Sequence, residues 1–295
     1  MTDIYEFEGK TLCNTNSVLG EGPTYDPDSN TVWWFNILGK ELHELNLSTA
    51  AKKVHPLPVM ASVLARIDAG RQLIATEEGL FVRDVASGNL TFYAALENDR
   101  PENRSNDGRT HPSGALWIGT MSKRAENQAG AIYHVASGKV TKIFNGISIP
   151  NSICFSPDGT VGYYTDSRIN RLMRVMVDPL TGLPSGEPIV FVDSMDDPGS
   201  IDGSVVDADG YLWNARWGAG VVDRYSPDGL RISRYMVPAV QPSCPAFIGV
   251  NADRLAVTTA WEGLDEDARS AQPSAGALLE LGIDVKGVFD PVYVI

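Results

Sequence analysis

A turn signal recurs along this 295-residue chain at an almost even step, and each time a short apolar strand follows it. The signals start at Asp26 (D-P-D-S-N-T-V-W-W), Asp68 (D-A-G-R-Q-L-I-A), His111 (H-P-S-G-A-L-W-I), Ser156 (S-P-D-G-T-V-G-Y), Asp207 (D-A-D-G-Y-L-W-N) and Asn251 (N-A-D-R-L-A-V). Successive starts lie 42, 43, 45, 51 and 44 residues apart, and the longest step holds an insertion at 178–188. A period of about 40–50 residues with short strands predicts an all-β fold, a six-bladed β-propeller with one four-stranded blade per repeat. Generic hairpin turns in a β-sandwich are the alternative, but sandwiches do not usually hold so even a spacing.

The segments between the turns are rich in aromatic and β-branched residues, as in T-V-W-W-F-N-I at 31–37, G-A-I-Y-H-V at 130–135 and E-P-I-V-F-V at 187–192. Runs this short, bounded by turn residues, read as strands. No stretch of twelve or more residues keeps a 3.6-residue apolar period. No linker interrupts the chain, so residues 1–295 are expected to form one propeller domain. The stretches K-T-L-C-N-T-N and F-D-P-V-Y-V-I, near the two ends, are expected to complete the last blade. Polar loops at 97–105, 122–129 and 261–274 are the candidate lids. Trp33, Trp34, Trp117 and Trp213 recur on second strands and are expected to pack between blades.

A net charge of -13 argues against nucleic acid and anionic membranes as partners. The odd count of three cysteines, with no C-x-x-C, suggests a reduced compartment. With no basic and apolar leader and no apolar run of membrane-spanning length, the expectation is a cytoplasmic protein.

Five residues before the six turns stand Glu21, Val63, Asn106, Asn151, Asp202 and Ala246. This register is expected to face the central channel, where the symmetry of the repeat would bring four oxygen-bearing side chains together. Oxygen donors without histidine or cysteine suit Ca²⁺, Mg²⁺ or Mn²⁺ better than a thiolate zinc site. Taken singly, each of the four reads more readily as a structural turn or capping residue; taken together, the shared register favours a site. There is no G-x-S-x-G and no persuasive Ser-His-Asp set. Cys154 reads as a core thiol and Arg216-Trp217 as a surface pair.

At these residues the chain resembles the SMP-30/gluconolactonase/regucalcin-like family. The matching stretches are L-G-E-G-P at 19–23, N-R-S-N-D-G-R at 103–109, G-T-M at 119–121, I-P-N-S at 149–152, Y-Y-T-D-S at 163–167 and I-D-G at 201–203. The resemblance implies a six-bladed propeller and one divalent cation in the channel, Ca²⁺ first, with Zn²⁺, Mn²⁺, Mg²⁺ or Fe²⁺ as alternatives. It implies Glu21, Asn151 and Asp202 as metal ligands, and Arg104 and Asn106 as substrate contacts. Where many relatives carry an acidic pair after G-T-M, this chain has Ser122-Lys123-Arg124, so Arg124 is a candidate contact for an anionic group on the substrate. Asn36 stands where an aspartate is frequent.

The expected activity is hydrolysis of a sugar lactone to its aldonic acid, with Asp202 as candidate general base. A metal-dependent phosphotriesterase and a calcium-binding regulator without turnover are the competing expectations.

Overall fold

The computed structural model describes residues 2–295. Six sheets follow one another along the chain. Blade one pairs Gly20–Asp26, Thr31–Asn36, Glu41–Asn46 and Lys52–Pro56 in order. Blade two uses Ala61–Asp68, Arg71–Thr76, Gly79–Asp84 and Leu90–Ala94, and blade three Asn103–Thr110, Leu116–Ser122, Gly130–Ala136 and Lys139–Ile147. Blade four uses Pro150–Phe155, Val161–Asp166, Arg171–Met176 and Ile189–Asp193, and blade five Ser200–Val206, Leu212–Trp217, Val221–Tyr225 and Arg231–Met236. Blade six takes Pro242–Ile248, Arg254–Thr259 and Ala277–Glu280 from its own repeat. Each inner strand contacts the next, and that of blade six contacts that of blade one, so the sheets close into a ring. This is the six-bladed β-propeller expected from the repeat.

The core is divided as the ring requires. Six apolar clusters occur among the described residues, one at each interface between neighbouring blades. A second strand lies between two blades, so both of its faces are covered: Thr31–Asn36 is buried at every position, whereas the outer Lys52–Pro56 is almost wholly exposed. Trp33, Trp34, Trp117 and Trp213 each sit in one of these clusters, as anticipated. Trp117 is fully buried, and truncating such a residue to alanine costs about 3–5 kcal/mol.

Only one end of the chain completes blade six. Lys10–Asn14 is its outer strand, antiparallel to Ala277–Glu280. The preceding Asp3–Tyr5 adds a fifth strand to blade five, parallel to Arg231–Met236. The C-terminal F-D-P-V-Y-V-I joins no sheet, against expectation. It runs across the turn end of blades two and three: Tyr293 N donates to Arg66 O (2.7 Å) and Val294 N to Gly114 O (3.0 Å). Pro291, within it, lacks the N–H that an interior strand must donate. The one helix among the described residues, Glu266–Ala271, interrupts the 261–274 loop, with Asp265 capping its N-terminus.

Candidate active site on the propeller axis

Inner strands cannot run straight past a crowded axis. Each of the four that concern the site carries a bulge in which two residues face one on the second strand. Glu21 and Asn151 are the last paired residues before their bulges, opposite Phe35 and Thr165. Asn106 and Asp202 are the first unpaired residues in theirs. Counting from the turn therefore found the right neighbourhood, but not one strictly equivalent position. In blade two the count fails: Val63 is paired with Ala75 and belongs to the cluster between blades two and three. Ala246 is likewise paired, opposite Ala256.

The bulges turn oxygen-bearing side chains towards one another. Arg104 Nη1 donates to Asn106 Oδ1 (2.7 Å). Asn106 Nδ2 donates to Asn151 Oδ1 (2.9 Å) and to Pro150 O (2.9 Å). Asn151 Nδ2 donates to Ser167 Oγ (2.9 Å), whose hydroxyl reaches Ile201 O (2.6 Å), the residue before Asp202. A continuous chain of bonds thus crosses from blade three to blade five. Glu21 Oε2 accepts from Gly22 N (3.0 Å), and Gly22 holds a left-handed φ of 57°.

The electrostatics are one-sided. Burial pushes the Glu21 carboxyl up to about 8, with Asp107 adding to the rise. Asp202 is pushed well above the usual carboxylate range by burial, then by Glu21 and Asp107. Asp107 is raised to about 6 by burial, against Arg109 and backbone donors that favour its charged form. Burial lowers the Arg104 pKa, and Glu262, Glu21, Asp202 and Glu77 oppose that shift. A buried carboxylate pair with an excess of negative charge is costly unless a cation meets it. The donor set suits a hard divalent cation: two carboxylates, and Asn151 Oδ1 with a second lone pair. No group of three or more His, Cys, Asp or Glu side chains poised around a metal occurs among the described residues.

Glu21, Asn106, Asn151 and Asp202 therefore converge, with Arg104 beside them. Arg124 does not join this group: it is exposed after the second strand of blade three and makes no ion pair or side-chain hydrogen bond among the described residues. Lys123 is already engaged, with Nζ 2.5 Å from Glu77 Oε2 and 2.7 Å from Pro101 O. The carboxylate that neighbours this loop is thus Glu77, from the turn after the second strand of blade two. Arg216 is fully buried rather than on the surface, donating to Pro198 O and Gly199 O. Asn36 Nδ2 donates to Glu41 Oε2 (2.9 Å), a contact within its own blade. The free thiol of Cys154 is buried, as anticipated.

Several polar residues of the axis escaped the sequence reading. Asp107 accepts from Gly108 N (2.8 Å) and Ile153 N (2.7 Å), tying blade three to the bulge of blade four. Its place beside Asn106 in N-D-G-R was the available signal. Further along the axis Arg109 Nη1 meets both oxygens of Asp290, each at 2.7 Å. Glu77, Glu262 and Asp290 lie in segments without a motif, and nothing local marks them.

The family pattern described as "SMP-30/Gluconolactonase/LRE-like region" matches residues 19–261. A Rhizobium meliloti protein provisionally named a sugar lactone lactonase is 59% identical over 99% of both chains. L-arabinolactonase of Azospirillum brasilense is 35% identical, over 90% of this chain and 89% of its own. The crystal structure of a calcium-binding protein, regucalcin, from Agrobacterium tumefaciens superposes with a TM-score of 0.99 at 60% identity, covering 100% of both chains. The chain belongs to the SMP-30/gluconolactonase/LRE-like family.

Proposed function

We propose that the protein is a metal-dependent sugar lactonase, which opens an aldono-lactone to the aldonic acid. The observation that carries this reading is the meeting of Glu21, Asn151 and Asp202 on the axis beside Arg104 and Asn106. The names of the lactonase relatives support it. Glu21, Asn151 and Asp202 would hold one divalent cation, Ca²⁺ being favoured by the oxygen donors and by the calcium-binding relative. When bound, the cation would polarise the lactone carbonyl and favour the negative charge that develops on it.

The other roles fall to side chains. Arg104 commits Nη1 to Ser105 O and Asn106 Oδ1, which leaves its remaining donors for sugar hydroxyls. Asn106 is held by Arg104 and Pro150 O, and so presents a fixed edge to the ring. Asp202 takes the proton of the attacking water. The water oxygen bonds to the carbonyl carbon, the ring C–O bond breaks, and the ring oxygen leaves as a hydroxyl, taking up the proton held by Asp202. Arg124, exposed and unpaired among the described residues, would touch only a substrate that projects out of the mouth.

Ring opening releases acid, so a pH-indicator screen over a panel of sugar lactones, with and without chelator, tests the proposal. Turnover should need the cation, and Asp202→Ala should abolish it while the circular dichroism spectrum stays native. Near-normal turnover by that variant would end the assignment. A calcium-binding role without turnover is the second reading, favoured by the calcium-binding relative; tight Ca²⁺ binding with no activity on any lactone would select it.

A further inference from the structure

The bulge of blade five separates Ile201, paired with Arg216, from Ser204, paired with Asn214. Asp202 and Gly203 therefore have no partner in the ladder, and their carbonyls lie in the buried interior. A buried carbonyl left without a donor is destabilising. Here side chains replace the ladder. Ser152 Oγ, from blade four, donates to Asp202 O at 2.5 Å. Asn214 Nδ2 lies 3.1 Å from Asp202 O and 3.2 Å from Gly203 O. Ser204 Oγ is 2.8 Å from Ser152 Oγ, whose own hydrogen is committed, so Ser204 is the donor of that pair.

Two features set this cluster apart from ordinary bulge repair. The first is Asn214. At the first pair beyond the bulge, the other second strands carry Trp33, Ala75, Ile118, Tyr163 and Val257. Blade five alone has an amide there. It is fully buried, and its Oδ1 has no partner, because only the NH₂ group can serve two carbonyls. The second is Ser152, which follows Asn151 and sits at a left-handed φ of 54°, where the corresponding bulge residue of blade one is Gly22. A non-glycine residue is disfavoured there, yet the hydroxyl is present and points at the Asp202 peptide.

We propose that Asn214 and Ser152 are positioning residues. They lock the Asp202–Gly203 peptide and thereby set the affinity of the axial site for a divalent cation. The proposal rests on the assignment of Asp202 as a ligand. The test is calorimetric titration with Ca²⁺, alongside thermal unfolding of the cation-free protein. The variants are Asn214→Leu, Ser152→Gly, Asp202→Asn and, as control, Ser62→Ala, which removes a hydroxyl bridging blades two and three without touching a ligand-bearing peptide.

Ser152→Gly should weaken Ca²⁺ binding by about tenfold or more, with cation-free unfolding close to that of Ser62→Ala, whose affinity should stay native; Asn214→Leu should weaken binding as much and also lower cation-free stability, since it leaves Gly203 O unmet. Ser152→Gly suits the local backbone and carries the test alone if Asn214→Leu fails to fold. Native Ca²⁺ affinity in both variants, with binding lost in Asp202→Asn, would overturn the positioning role and leave the ligand assignment standing. Binding unchanged in Asp202→Asn, or absent from the wild type, would overturn both. A fall in affinity that merely tracks lost stability, Ser62→Ala included, would reduce the cluster to a structural repair.

Discussion

Gly203 shows how little room the axis leaves. A Cβ there would lie 2.4 Å from Cys244 Sγ and 2.8 Å from Cys244 Cα, and the second of these cannot swing away. Gly203→Ala is expected to lower stability by about 1–3 kcal/mol, read as a reduced urea midpoint, and to weaken cation binding, since Asp202 is the adjacent residue. Arg104 allows a different forecast. Its Nη1 serves two acceptors at once, a geometry that a lysine ammonium on a flexible stem does not reproduce. Arg104→Lys should raise KM for a lactone more than it lowers kcat, as steady-state kinetics will show. At this scale the sequence was legible where a side chain carries chemistry that a strand does not need. Glu21 and Asp202 stand out beside turns for that reason. Ser152 and Asn214 do not, because serine and asparagine are ordinary in turns, and only the bulge shows what they replace.

The same distinction holds for elements. Strands and their order could be read from the repeat, since a second strand between two blades must be apolar on both faces. Bulges could not be read: an unpaired residue looks no different in sequence from a paired one, and Val63 was misplaced for that reason. Nor was the division of labour between the termini apparent, because a short β-branched run does not reveal its partner. The closing blade supplies the element-scale prediction. Glu280, on its third strand, takes Arg254 Nε and Nη2 from the second strand at 2.6 Å each, and Lys10 Nζ from the N-terminal strand at 3.5 Å. The hydrogen bonds and charge of Arg254, with Lys10 behind them, lower the Glu280 pKa. A depressed carboxylate contributes stability above the unfolded value of about 4.3 and loses it as pH falls through the folded value. Glu280→Gln should therefore lower the melting temperature at neutral pH, and the gap to wild type should narrow below about pH 4. A constant gap from pH 7 to pH 3 would count against the argument.

For the whole molecule, the C-terminal tail matters more than its lack of secondary structure suggests. Asp290 neutralises Arg109 inside the turn end of the channel, and Tyr293 is almost fully buried in the cluster between blades two and three. Asp290→Ala removes the bidentate partner of the largely buried Arg109 guanidinium and should lower stability, measurable as a reduced urea midpoint. Removing residues 288–295 should cost at least as much.

Side-chain hydrogen bonds link the inner strands at five of the six junctions around the ring. Thr24 donates to Leu64 O, Ser62 to Ser105, Asn106 to Pro150 O, Ser152 to Asp202 O and Ser243 to Gly20 O, so the donor belongs to one blade and the acceptor to the next. Between blades five and six the close packing of Gly203 on Cys244 takes that place. The candidate ligands hang from these same peptides in blades one, four and five, and the ring is shut by non-covalent contacts, the docking of Lys10–Asn14 among them. Springing that clasp would dismantle the ion's cradle, so occupancy of the cradle must oppose the springing. The cation would act as a rivet through the hub, worth about 2.7 kcal/mol at a hundredfold excess over Kd, and saturating Ca²⁺ should slow unfolding of the wild type but not of Asp202→Asn.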